Sequence, residues 1–149
     1  MNRRNFLGLS LGVAAVSMIP ATLSAEDFRA TKPKAWTATK VDEAIKAVFG
    51  SSALVEGGIA LSAPDIAENG AVIPISFTTD LKAKTIAVFQ DANPEATVAV
   101  FTMGSKATAD YAIRIKMQKT GKVTIVANVD GKLHSITKEV KVTIGGCGG

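Results

Sequence analysis

Apolar and polar residues alternate strictly over residues 111–118, where Tyr111, Ile113, Ile115 and Met117 are separated by Ala112, Arg114, Lys116 and Gln118. This limits the fold more than any other feature of the chain. Successive side chains on a strand point to opposite faces, so the pattern gives one buried and one wet face. The same period returns near the C-terminus, with Val140, Val142 and Ile144 set against Glu139, Lys141 and Thr143. Residues 122–129 and 133–144 flank Asp130-Gly131, a pair that accepts the positive φ of a two-residue hairpin turn, so they are expected to pair.

The rest of the chain extends this reading. Ile59 and Leu61 alternate with Ala60 and Ser62. After the turn signal Glu68-Asn69-Gly70, Ile73, Ile75 and Phe77 alternate with Pro74 and Ser76. Pro74 lacks a backbone N–H, which suggests an edge strand or a bulge. Residues 85–89 form a β-branched run closed by Asp91-Ala92-Asn93-Pro94, and residues 97–103 form another ended by Gly104-Ser105. Only residues 39–49 show the helical period: Val41, Ala44, Ile45, Val48 and Phe49 make one apolar stripe. Thr39 and Asp42 fit a capping box and Gly50 is placed to end the helix. The stripe packs most simply on the domain's own sheet. The expected fold is all-β: an immunoglobulin-like antiparallel β-sandwich of about seven strands, with one N-terminal helix and a flexible Gly-rich C-terminal arm.

Residues 1–25 read as a cleaved leader. Arg3-Arg4 precede Asn5-Phe6-Leu7-Gly8, an apolar run too short to span a bilayer reaches Ile19, and small residues follow up to Ala25. Paired arginines before Phe-Leu match the twin-arginine export signal, and Gly8, Ser10 and Gly12 keep the apolar run weak as that signal requires. Cleavage is expected after Ala25, although Leu23 is a poor residue three positions back. The mature protein is then periplasmic, with residues 26–144 as the sandwich and 145–149 as the arm. Removing Arg3 and Arg4 leaves 15 of the 17 basic residues against 13 acids, a net charge of +2 in place of +4. That balance, with few aromatic residues and none interleaved with a basic patch, argues against nucleic-acid binding.

Little in the sequence assembles a catalytic or metal site. His134 is the one histidine and falls in an expected strand, where it reads as a solvated residue. Pairing it with Cys147 would require a base held within hydrogen-bonding reach of the thiol, which a glycine tether does not provide. One Cys and one His match no zinc spacing. Met103 and Met117 leave a copper site conceivable, but Met117 lies on the buried side of its alternation. Gly57-Gly58 and the terminal glycines open no helix and so form no phosphate loop. No catalytic, metal or cofactor residues are expected. Lys132, Lys138 and Lys141 give either a mildly positive surface near the arm or simply the wet face of a strand.

The remaining candidate is Gly145-Gly146-Cys147-Gly148-Gly149, in which the single cysteine has two glycines on each side. Glycine populates both signs of φ, so the run has no preferred conformation. Extended, it lets Cys147 range on the order of 10 Å from Ile144. A thiol without neighbouring side chains can enter a narrow cleft on another protein, as a carrier arm must. The same composition describes a frayed tail, and an odd cysteine in an exported protein also serves an intermolecular disulfide. The pentapeptide by itself does not choose among these.

A resemblance to a known family adds to this reading. The segments that carry it are the twin-arginine start; Ala63-Pro64-Asp65-Ile66-Ala67-Glu68-Asn69-Gly70 leading to Ile73-Pro74; Asn93-Pro94 before Val100-Phe101; Ile113-Arg114-Ile115; and Val140-Lys141-Val142-Thr143-Ile144 running into the terminal Gly-Gly-Cys-Gly-Gly. Together they resemble the Y-subunit family of the bacterial sulfur-oxidation (Sox) system, periplasmic carriers of thiosulfate. The likeness covers nearly the whole chain, with the pentapeptide its most specific part, and it departs from the family pattern over residues 102–110 and in the hairpin up to Ile136.

The resemblance implies a covalent sulfur carrier rather than an enzyme. Cys147 would be the attachment point, and Gly145, Gly146, Gly148 and Gly149 the arm. The implied partners are a Z subunit forming a heterodimer, a c-type haem enzyme that conjugates thiosulfate as a thiosulfonate, a manganese hydrolase that releases sulfate, and in some organisms a molybdenum sulfane dehydrogenase. No cofactor of its own, no nucleic acid and no membrane is implied. The rival readings are a structural sandwich subunit joined through a Cys147 disulfide and a thiol metallochaperone for a soft ion such as Cu(I).

Overall fold

The computed structural model describes residues 26–144. Three helices lead: α1 (Phe28–Thr31), α2 (Pro33–Thr37) and α3 (Val41–Phe49). Nine strands follow: β1 (Leu54–Glu56), β2 (Ala60–Ser62), β3 (Ile66–Ala67), β4 (Ile73–Thr79), β5 (Thr85–Gln90), β6 (Thr97–Thr102), β7 (Ala109–Ile115), β8 (Gly121–Val129) and β9 (Lys132–Val142). One sheet has the order β1-β9-β8-β5-β6, with β3 also on β9; the other has the order β2-β4-β7.

The expected sandwich is present, and the alternations locate its core. Ile73, Ile75 and Phe77 from β4 and Ile115 from β7 pack against Ile86, Val88, Val123, Ile125 and Val140 of the larger sheet. The opposite face of that sheet is covered as well. Ala87, Phe89, Val126 and Leu133 meet Ala44, Ile45 and Val48 on α3. The larger sheet is therefore the middle of three layers, which is why β5 reads as an unbroken apolar run and β7 as a clean alternation. The stripe on α3 buries on the domain's own sheet, and Gly50 ends the helix at φ 79°. The β8–β9 hairpin turns through Asp130 (φ 51°) and Gly131 (φ 87°), and its register runs from Val129↔Lys132 to Gly121↔Val140.

Several expectations are corrected. The N-cap of α3 is Lys40 without a side-chain cap, so Thr39 and Asp42 form no capping box. Helices α1 and α2 are additional; Asp27 caps α1 through the N–H groups of Arg29 and Ala30, and Pro33 opens α2. Strands β1 and β3 bring the count to nine, and both run parallel to β9, so the larger sheet is mixed rather than purely antiparallel. Pro74 lies on the central strand of its sheet. Strand β2 pairs only with residues 76–78 of β4, however, so no neighbour requires an N–H from Pro74 on that side.

Candidate functional site at the base of the C-terminal arm

Strand β9 is the longest among the described residues and carries the chain from the Asp130-Gly131 turn towards the glycine-flanked Cys147. Strand β8 pairs along nearly all of one edge. The other edge is held at both ends: β1 pairs with Leu133, His134 and Ser135, and β3 with Lys141 and Val142. Beyond the last strand residue the tie-down continues. Lys141 N–H donates to Asp65 O (3.0 Å), Thr143 N–H to Ala67 O (3.1 Å) and Gly70 N–H to Ile144 O (2.8 Å). The Thr143 hydroxyl also donates to Glu68 O, and Gly70 O accepts from Met117 N–H. The chain is thus fixed by backbone bonds as far as Ile144.

These bonds all come from residues 65–70, part of the stretch that carries the family resemblance. Lys138 secures its start. Alternation places Lys138 on the same face of β9 as Ile136 and Val140, towards the second sheet. Its ammonium reaches the sandwich rim, donating to Ala63 O (2.5 Å) and pairing with Asp65 (3.0 Å). The aliphatic stem is buried while the charge meets polar partners. Lys138 is therefore neither a wet-face residue nor a free cation. Lys132 begins β9 at the hairpin tip, the far end from the arm, and Lys141 alone stays exposed close to it. Sequence reasoning missed the role of residues 65–70 because two residues pairing in parallel leave no periodic signal.

Cys147 and its flanking Gly145, Gly146, Gly148 and Gly149 lie outside the described residues. Three large apolar residues are exposed in the segments that meet here, Ile66, Val72 and Ile144 at 60%, 55% and 68%, beside exposed Glu68, Asn69, Lys141 and Thr143. His134 is half-buried between β1 and β8. Eight residues of strand separate it from Val142, about 27 Å. The five residues from Val142 to Cys147 span at most about 18 Å. With the chain fixed as far as Ile144, only the three residues to Cys147 are free to span at most about 11 Å, so the length of β9 opposes a Cys147–His134 pair within one chain. Met117 is fully buried in the core, and Met103 Sδ accepts from Tyr111 O–H at 3.2 Å. Among the described residues no three His, Cys, Asp or Glu side chains gather as a metal site, and no helix is long and apolar enough to cross a membrane.

The geometry defines a class: a β-sandwich backed by helices, with its final strand braced on both edges. Solved structures share that fold. Superoxide reductase (neelaredoxin) from Ignicoccus hospitalis superposes with a TM-score of 0.52 at 15% identity, over 58% of this chain and 80% of that one, a likeness of fold alone. The structure of the sulfur carrier protein SoxY from Chlorobium limicola f thiosulfatophilum superposes with a TM-score of 0.65 at 39% identity, covering 73% of this chain and 96% of that one. Residues 45–147, through to the single cysteine, match the family described as sulfur oxidation protein SoxY. No curated protein matches the chain. The chain belongs to the SoxY family, and its role is that of a sulfur carrier in sulfur oxidation.

Proposed function

We propose that Cys147 is the covalent attachment point for sulfur and that residues 145–149 form the arm presenting it to successive enzymes. The observation that carries this reading is the bracing of β9. A chain tied by backbone bonds as far as Ile144 leads directly into a glycine-flanked thiol. An unperturbed thiol is roughly 3% thiolate at pH 7, so activation is left to each partner.

The cargo is thiosulfate. A c-type haem enzyme takes two electrons as the Cys147 Sγ–S bond forms and the thiol proton leaves, giving Sγ–S–SO3⁻. A manganese hydrolase then adds water across the S–SO3 bond, releasing sulfate and leaving a persulfide on Cys147. A sulfane dehydrogenase oxidises that sulfur where one is present. The chain works as a heterodimer with a Z subunit and supplies no catalysis or cofactor of its own. Residues 1–25 direct it through the twin-arginine pathway to the periplasm and are removed.

Intact mass of the protein from cells grown on thiosulfate, without reductant, tests this. Reductant-sensitive sulfur adducts mapping to Cys147 are expected, and Cys147→Ser removes them without changing the fold. Sulfur still carried by the serine variant would refute the assignment. A disulfide to one defined partner chain would make this a structural subunit instead.

A further inference from the structure

A cavity of about 690 Å³ forms an open groove on the three-stranded sheet. It exists because β2 leaves β4 early. Their last paired residues are Ser62 and Ser76, after which Ala63 and Pro64 diverge towards β9, and Pro74 offers no N–H to hold a neighbour. Arg114, opposite Pro74 on β7, is the one charged residue lining the groove. Among the described residues its guanidinium enters no ion pair, whereas Lys40, Lys84 and Lys138 each have an acidic partner.

We propose that this groove receives the loaded arm, residues 145–149, with Arg114 holding the sulfonate carried on Cys147. The inference rests on the reading of Cys147 as the attachment point and goes beyond it by naming where the cargo sits between enzymes. Reach supports the occupant. Ile144 is bonded to Gly70, and four residues of chain, about 13 Å, lead from Gly70 to Pro74. Residues 145–147 span about 10 Å extended, and the loaded cysteine and the arginine side chain each reach further.

Charge supports it too. The Sγ–S–SO3⁻ group presents a terminal anion with three acceptor oxygens, and a guanidinium fork suits such a group better than an ammonium does. An unloaded thiol at neutral pH offers Arg114 almost no charge, so docking depends on cargo. The groove is open to water, which keeps the contact weak enough to surrender the arm. The short tether offsets that weakness by presenting the adduct at an effective concentration in the millimolar range.

The test uses the full mature chain loaded chemically, so it does not depend on the cell's own enzymes. Thiolate at Cys147 attacks tetrathionate: an Sγ–S bond forms, the central S–S bond breaks, thiosulfate leaves and Sγ–S–SO3⁻ remains. Loading is verified by intact mass. On loading, the Arg114 Nε–Hε resonance and the Ser62 and Ser76 amides are expected to shift in ¹H–¹⁵N spectra. Release of the adduct by dithiothreitol, a neutral reductant, should be about two- to fivefold faster in Arg114→Gln, the range for a solvent-open arginine–anion pair. That difference should disappear in 1 M salt, where the Debye length is about 3 Å. Since Arg114 is exposed, an unchanged thermal midpoint for Arg114→Gln checks that the fold is intact. Unshifted groove resonances, or equal release rates in a folded Arg114→Gln, would overturn the proposal. Neither result would touch the attachment role of Cys147, which the cellular mass measurement decides separately.

Discussion

Replacing Lys138 with methionine should loosen the base of the arm while sparing the sandwich. Methionine keeps an aliphatic stem in the same place and removes only the ammonium. Two interactions are lost. The bond to Ala63 O joins a charged donor to a carbonyl on a buried residue, a type worth about 1.5–3 kcal/mol when fully enclosed. Lys138 is 34% exposed, so the lower end applies. The pair with Asp65, itself 89% exposed, adds only about 0–0.5 kcal/mol after solvent screening. Together they give about 1–2 kcal/mol, or roughly five- to thirtyfold in a local opening equilibrium. The effect should fall on the amides that depend on residues 65–70, namely those of Lys141, Thr143 and Gly70. Native-state hydrogen exchange of Lys138→Met should show those three amides exchanging five- to thirtyfold faster, with the hairpin amides of β8 much less affected. Thr143 and Gly70 protection within twofold of the native protein would refute the claim that Lys138 secures the brace.

Two further substitutions separate fold from function. Gly121→Ala should cost about 1–3 kcal/mol, since its Cβ would lie 2.5 Å from Asp91 Oδ1 and 2.9 Å from Ala92 Cβ; urea denaturation with an unchanged midpoint would contradict this. Gly146→Val should leave the stability to urea within about 0.5 kcal/mol of native if residues 145–149 form the proposed arm. It should nevertheless slow loading and unloading, because a β-branched residue stiffens the arm and obstructs cleft entry. Undiminished turnover with every partner enzyme would disprove that role.

What the sequence made legible follows from how far each signal extends along the chain. Alternation over Ile73, Ile75 and Phe77 and over Tyr111 to Met117 identifies strands, because one face of each really is wet. Asp130-Gly131 identifies the hairpin through its φ requirement alone. The three-layer arrangement was half visible: the α3 stripe requires a surface, whereas the run at 85–89 was read only as one more strand and proves buried on both faces. Strands β1 and β3 were not legible, since two or three residues pairing in parallel with a distant strand carry neither a period nor a turn signal. Lys138 misleads for a related reason. A lysine on an inward position reads as solvent-facing unless one knows that Ala63 and Asp65 wait at the rim. Cys147 was singled out by composition and flanking residues and lies outside the described residues, whereas the backbone bonds from residues 65–70 that fix the chain before it carry no such signal.

If residues 145–149 serve as the arm proposed above, the brace and the arm are parts of one tether. If residues 141–144 frayed from β3, the free segment before Cys147 would begin at Val140 rather than Ile144, and would grow from three residues to seven. Local concentration falls roughly as the −3/2 power of tether length, so this alone would dilute the thiol at a nearby site by about three- to fourfold. Against that loss, a longer tether would enter deeper clefts. Strand β3 and Lys138 therefore set a compromise between reach and local concentration. Ile66, Val72 and Ile144 are exposed apolar residues at this end of the domain. On the proposed reading, the backbone bonds of residues 65–70 define where the arm starts.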